Sequence, residues 1–401
     1  MKQFYQKLFS KCLTGLGILS CIFIFSIQKS NAQISSATIT VNDSSIIATS
    51  VNASDADICS GAETTLSVTG GVLGTGANWF WYVGSCGGTP IGNGASLLLT
   101  AINTTNPTNE TIVKTFYVRA EGLCNTTICK SVEITIYATP VITPPENKVA
   151  CFGESIPSIP IFGTPSGLTY TITGGADVGI PDASGVTSIA AFTTTNSTNE
   201  TIVRTITIAP IANGCPGSSV TFTVTVLPQI IIDPVSDVVI CNDLLLQIPF
   251  TSNVSGTVVY SWTNDQTSIG LAATGTGDIS FTTANTSCGD VTSNLLLTVS
   301  KTDAGTTCSA TDPFTITVHP KPTGQIIAGL AACEGDPAPL TYNALCGTSP
   351  FVLAIAINAL TPTTNYPGII DDAIIPVPVP PTGSTTYNLM RITDANGCIN
   401  Q

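Results

Sequence analysis

Four times along this chain a cysteine opens a turn, a run of alternating apolar and Thr residues follows, and a second cysteine precedes a last such run. The openers are Cys59, Cys151, Cys241 and Cys333, and the closers are Cys129, Cys215, Cys308 and Cys398. Opener and closer stand 70 (129 − 59), 64 (215 − 151), 67 (308 − 241) and 65 (398 − 333) residues apart. A repeat of near-constant period predicts a tandem array of like modules, each with a core of its own.

Period-two alternation runs through the mature sequence. Val220-Thr-Phe222-Thr-Val224-Thr-Val226 is its clearest form, repeated in Phe314-Thr-Ile316-Thr-Val318 and Val132-Glu-Ile134-Thr-Ile136. Alternate strand residues point to opposite faces, so each such strand buries an apolar row and leaves Thr in water. The fold class expected is all-β, a tandem array of β-sandwiches. Prolines at 140, 228 and 320 follow these strands, and a residue that cannot donate to a sheet ladder marks their ends. The expected units are 55–139, 140–228, 229–320 and 321–401, after a Ser/Thr-rich leader at 33–54. Modules of this size bury only ~60–65% of their unfolded surface, and cross-links are the usual remedy.

The units match in detail. Thr104-Thr-Asn-Pro-Thr-Asn-Glu110 recurs as Thr194-Thr-Asn-Ser-Thr-Asn-Glu200, and Phe192-Thr-Thr-Thr-Asn196 as Phe281-Thr-Thr-Ala-Asn285. This polar stretch reads as a loop between two strands. An aromatic strand sits mid-unit at Trp79-Phe-Trp-Tyr-Val83, Tyr170-Thr-Ile172 and Tyr260-Ser-Trp262.

Residues 1–32 read as a signal peptide. Lys2, Lys7 and Lys11 precede an uncharged apolar core from Cys12 to Ile27, and Ser30-Asn-Ala32 offers small residues for cleavage. That core is shorter than the ~20 residues that span a bilayer. No transmembrane segment is expected in the mature chain. Four of the 12 basic residues and none of the 25 acids lie in the signal, so the mature net charge is 8 − 25 = −17. Such a charge argues against nucleic acid as a partner. Twelve cysteines remain after cleavage, and an even number in an exported chain predicts disulfides.

Catalytic chemistry finds few candidates. The single histidine, His319, is expected in solvent at a strand end beside Pro320, away from any nucleophile. The acids sit singly in turns, apart from Asp55-Ala-Asp57 and Asp371-Asp372, where calcium could be considered. No catalytic residue, metal site or cofactor is expected. Asn-x-Ser/Thr sequons, among them Asn196 and Asn285, are frequent. On the aromatic strand Trp79 and Trp81 share one face and Phe80 and Tyr82 the other. An uncovered face there would be a platform for a glycan ligand.

Several segments resemble modules of secreted Bacteroidetes surface proteins. Ile58-Cys-Ser-Gly61, Trp81-Tyr-Val-Gly-Ser-Cys-Gly-Gly-Thr-Pro-Ile-Gly92 and Tyr117-Val-Arg-Ala-Glu-Gly-Leu-Cys-Asn-Thr-Thr127 resemble their immunoglobulin-like modules. Cys151-Phe-Gly-Glu154, Asn213-Gly-Cys215, Trp262-Thr-Asn-Asp265, Thr274-Gly-Thr-Gly277 and Phe281 are similar to their PKD-like modules, with a looser match at Cys333-Glu-Gly-Asp336 and Asp394-Ala-Asn-Gly-Cys398. The resemblance implies an extracellular or cell-surface array, non-enzymatic, structural or adhesive, with a protein or glycan ligand unknown. The alternatives are the stalk of a secreted enzyme whose catalytic part is missing from this chain, or a carbohydrate-binding surface module.

Unit two holds only Cys151 and Cys215, which predicts that they pair. Repetition extends this to Cys59–Cys129, Cys241–Cys308 and Cys333–Cys398, and leaves Cys86 and Cys124 in unit one. The turns that hold opener and closer lie at opposite ends of a sandwich, however. On that ground Cys59–Cys86 and Cys124–Cys129 are the alternative. Cys288 and Cys346 stay unassigned. After Cys398 only three residues follow, so the fourth unit is expected to lack its closing strand and to expose the edge of Thr386 to Ile392. A continuation of the chain beyond Gln401 is the simplest supplier of that strand.

Overall fold

The computed structural model describes residues 38–329, 340–358, 364–377 and 384–401. The expected signal peptide and Cys333 lie outside them. The described chain is almost wholly strand and turn; its one α-helical turn is Ala101–Thr104. Four separate apolar cores follow one another: Trp79, Trp81, Phe116 and Ile134; then Ile172, Ile206 and Val224; then Trp262, Leu297 and Ile316; then Tyr342, Phe351 and Leu353. The chain is a tandem array of immunoglobulin-like β-sandwiches.

Modules one to three share one main sheet. Its order in module one is Asp57–Cys59, Lys130–Tyr137, Ile112–Glu121, Asn78–Val83, Pro90–Asn93. Module two repeats it with Lys148–Cys151, Val220–Leu227, Ile202–Ala212, Thr169–Thr173 and Ala183–Val186. Module three does so with Val238–Cys241, Thr306–His319, Val291–Asp303, Val258–Asn264 and Thr274–Thr276. Smaller antiparallel pairings cover the other side of each core, such as Leu245–Ile248 on Ile279–Thr282. The expected leader is partly absorbed into module one. Ala48 is buried in its core and Ser50–Ala53 pairs with Thr64–Thr69.

The short opening strand runs parallel to the long closing strand. Cys59 lies opposite Tyr137, Cys151 opposite Leu227 and Cys241 opposite His319, in each case the last residue of the closing strand. These three openers therefore sit where the chain leaves its module. The closers sit at the other end, where the closing strand begins. In modules two and three a hairpin turn with two left-handed residues, Asn213-Gly214 and Ala304-Gly305, places Cys215 and Cys308 there. In module four Gly397 takes the same conformation before Cys398, and the Asp394 carboxylate accepts the Cys398 amide at 2.9 Å.

This strand direction corrects the disulfide pairing expected within units. Val220–Leu227 alone spans roughly 23 Å at ~3.3 Å per residue, whereas bridged Cα atoms lie within about 7 Å. Cys151, at the far end of that strand, cannot meet Cys215. The bonds run between modules instead: Cys59–Cys215, Cys151–Cys308 and Cys241–Cys398, with Cα separations of 5.5, 5.6 and 5.5 Å. The alternative pairing in module one is not adopted either. Cys129 bonds Cys86, and the Cys124 sulfur lies 3.4 Å from the Asn42 carbonyl oxygen. Module four also departs from expectation. Ile399–Asn400 already pairs with Thr393 and Ile392, so the closing strand is begun and part of the edge is covered.

Candidate functional site: the joints between modules

The features that distinguish this chain from four unconnected sandwiches lie at the module joints. Each joint presents an opener cysteine from one side and a closer from the other. The opener is held by its own module. In module two the Thr194 hydroxyl donates to the Cys151 carbonyl at 2.5 Å and accepts the Glu154 amide at 2.9 Å. In module three Thr283 repeats both bonds, at 2.7 Å to Cys241 and 3.0 Å from Leu244.

Two residues on, a buried asparagine fixes the same loop to the closing strand. Asn106, Asn196 and Asn285 each donate through Nδ2 to two carbonyls, one in the loop and one on the closing strand. The strand acceptors are Ile136 at 3.0 Å, Val226 at 2.9 Å and Val318 at 2.7 Å. Their side-chain oxygens accept from Thr108, Thr198 and Ser287. The recurrent Thr-x-Asn motif is thus a clamp that places the opener. The amide nitrogens of Asn196 and Asn285 are committed to these bonds, which excludes the two sequons as glycan acceptors in the folded chain.

In modules two and three the residue three beyond the buried asparagine faces the next module. In module two this is Asn199, whose Oδ1 accepts from Asn253 Nδ2 of module three at 2.9 Å, while the adjacent Glu200 carboxylate accepts from the Ser255 hydroxyl. In module three it is Cys288, and it is disulfide-bonded to Cys346 of module four. The two cysteines left unassigned in the sequence therefore form a second covalent link at the third joint. Their signal was the register: Cys288 stands where the repeat has Asn199.

His319 departs from expectation. Its side chain is only 15% exposed, and Nδ1 lies 2.7 Å from Asp290. Lys321 pairs with Asp243 at 3.0 Å on the same joint. Between modules two and three the joint leaves an open cleft of about 390 Å³ lined by Phe152, Pro228, Gln229, Ile230, Thr307 and Ser309.

The aromatic strand of module one offers no open platform. Trp79 and Trp81 are buried, and the Trp81 indole N–H donates to the Gly94 carbonyl at 2.9 Å. On the opposite face Tyr82 is buried beneath Arg119, whose guanidinium lies 5.3 Å from the ring centre. The Tyr82 hydroxyl donates to Glu121, which also pairs with Arg119 at 2.7 Å. Burial, then Glu121, raises the Tyr82 pKa; the Tyr82 hydrogen bond, then Arg119, lowers that of Glu121. Asp371 accepts the Ala344 amide at 2.7 Å, the ordinary use of a carboxylate in a turn. Among the described residues no three His, Cys, Asp or Glu side chains gather as a metal site, and no helix is long and apolar enough to cross a membrane.

Residues 47–140 match the family model described as "Ig-like domain CHU_C associated". None of the curated proteins matches the chain. Among solved structures, the chain is similar to immunoglobulin domains 1–5 of Sidekick-1, at 11% identity and a TM-score of 0.25, over 70% of this chain and 60% of that one. It is also similar to Dpr2 Ig1-Ig2 in complex with DIP-Theta Ig1-Ig3, at 11% identity and a TM-score of 0.31, over 68% and 99%. A third is Drosophila N-cadherin EC1-4, at 14% identity and a TM-score of 0.27, over 66% and 72%. The chain thus spans less than two thirds of the Sidekick-1 structure. Residues 47–140 are thus similar to that immunoglobulin-like family model, and modules two and three repeat the sheet order of the first module.

Proposed function

We propose that this protein is an exported, non-enzymatic array of immunoglobulin-like modules with a structural or adhesive role at or beyond the cell surface. One observation carries the reading: three disulfides join consecutive modules in the same register, over 156, 157 and 157 residues. Such bonds persist in oxidising compartments, and they fix the order and spacing of the modules they join. The mature charge of 8 − 25 = −17 favours a protein or glycan partner over nucleic acid. Burial of the tryptophans and Tyr82 removes the sequence's best carbohydrate platform. Labelling of intact source cells with a membrane-impermeant reagent tests the location. Labelling only after lysis, with these cysteines recovered as thiols, overturns the proposal. So does turnover of any peptide, ester or glycan that a single acidic substitution abolishes.

A further inference from the structure

We infer that the staggered disulfides make the array a tensile tether, whose extension is set by covalent connectivity and not by the strength of its module cores. The inference rests on the surface-array reading, since only such a chain is loaded at its two ends. A pull applied beyond Cys59 and Cys398 follows the shortest covalent route that the described bridges leave between them. That route crosses from Cys59 to Cys215, follows the backbone to Cys241, and crosses again to Cys398. It contains 26 residues of backbone (241 − 215) where the sequence has 339 (398 − 59). Two bonds and one short segment therefore link all four modules, and most of each module lies off the loaded path.

The 26-residue segment is itself held. It comprises the closing strand Val220–Leu227, which has strands hydrogen-bonded on both sides, the linker, and the opening strand Val238–Cys241 paired with Thr306–His319. At up to about 3.6 Å per residue, full extraction of this segment yields at most about 90 Å, against about 1,200 Å for the chain without bridges. Cores can yield and refold beside the path while the ends stay joined.

The stagger has a consequence that pairing within modules would not have. The middle bond, Cys151–Cys308, is off the shortest path, and its loss leaves the 26-residue limit unchanged. Loss of Cys59–Cys215 reroutes the load through Cys86–Cys129 and Cys151–Cys308. The backbone hops are then 27 (86 − 59), 22 (151 − 129) and 67 (308 − 241) residues, 116 altogether. Bridges within each module would instead leave hops of 22 (151 − 129), 26 (241 − 215) and 25 (333 − 308), or 73.

Single-molecule stretching of the full chain between terminal handles tests this. The segment before Cys59 adds the same length in every case, so differences report the bridged span. Reduction is expected to raise the limiting length of that span about 13-fold. Cys59→Ala with Cys215→Ala is expected to raise it about 4.5-fold, and Cys151→Ala with Cys308→Ala to leave it unchanged. An oxidised wild-type span that reaches about 260 Å, or a longer span without the middle bond, overturns the inference. These lengths depend on connectivity alone, so variants that fold poorly still give an answer in denaturant. The measurement is made on purified chain, and it can fail while surface labelling succeeds, or succeed while labelling fails.

Discussion

The joint between modules one and two and the joint between modules three and four share the opener–closer bridge and differ covalently at one loop position. Both pass the chain straight from the closing strand into the next module, and both join opener to closer, Cys59–Cys215 in one and Cys241–Cys398 in the other. Three residues beyond the buried asparagine, however, module one has the exposed Asn109 and module three has Cys288, bonded to Cys346. A linker and one bridge leave two modules an axis about which to turn. A second bridge at a separate point removes it. The middle joint lies between, with the Asn199–Asn253 hydrogen bond in the place of the second bridge. The links made by this loop thus increase from the exposed Asn109 to the Asn199–Asn253 hydrogen bond to the Cys288–Cys346 bridge, and the joints are expected to stiffen in that order.

The largest expected effect comes from removing Cys59–Cys215, the bridge that the described residues place at the first joint. By loop-closure entropy a bridge over ~157 residues contributes up to about 5 kcal/mol to the linked pair of modules. Cys59→Ala with Cys215→Ala is expected to raise the rate of proteolytic cleavage between Tyr137 and Pro140 at least tenfold (on the order of the exposure gained by a freed linker). Cys288→Ala with Cys346→Ala is expected to bring the third joint only to the level of the intact first joint. If that second pair opens joint three as widely as the first pair opens joint one, the graded series is wrong.

Much of this was legible in the residues. Alternating Thr and apolar positions gave the closing strands, and the repeat gave the equivalence of the cysteines. What the repeat cannot give is which copy a cysteine bonds. Identical motifs make Cys215 an equally good partner for Cys59 or Cys151 until the direction of the opening strand is known. Parallel pairing decides it, and parallel pairing leaves no mark in a three-residue strand such as Asp57–Cys59. His319 was misread for a related reason. Its partner Asp290 is 29 residues away in sequence, on the loop that the buried Asn285 pins to the closing strand.

Next in size is the clamp itself. Asn285→Ala removes both Nδ2 bonds and leaves the buried Val318 carbonyl without its donor. The expected cost is about 2 kcal/mol in thermal or denaturant unfolding of module three. Asn196→Ala is expected to cost module two as much. The comparison sharpens in a second readout. The Asn285 variant frees the loop that carries Cys288, so Cys288–Cys346 is expected to reduce faster than Cys241–Cys398. In the Asn196 variant the relative order of those two is expected to stay as in wild type.

Acid is expected to weaken module one through Glu121. Glu121 has its pKa lowered in the folded state by Tyr82 and Arg119, so the stabilisation it brings is present above the unfolded carboxylate pKa and is lost as pH falls through the folded value. Below about pH 4, the midpoint of module one is expected to fall by ~2–4 °C more than it does in a Glu121→Gln variant. Equal acid sensitivity in the two would remove Glu121 from the account.

The smallest effect tests whether the middle joint is the intermediate it is taken to be. Asn199→Ala deletes the exposed hydrogen bond from Asn253 and leaves the Asn253 bonds to Gln229 and Ile231 in place, so about 0.5 kcal/mol is the expected loss. Cleavage in the linker after Leu227 is expected to rise two- to threefold. The reverse change carries more information. Asn199→Cys together with Asn253→Cys places a cysteine pair where the third joint has Cys288 and Cys346. If the loops are equivalent, non-reducing peptide mapping will find a new bridge at these positions beside Cys151–Cys308, and the linker after Leu227 will resist cleavage as the one after His319 does. Two free thiols at these positions in an otherwise bridged chain would mean that the joints differ in docking geometry and not only in the identity of one loop residue.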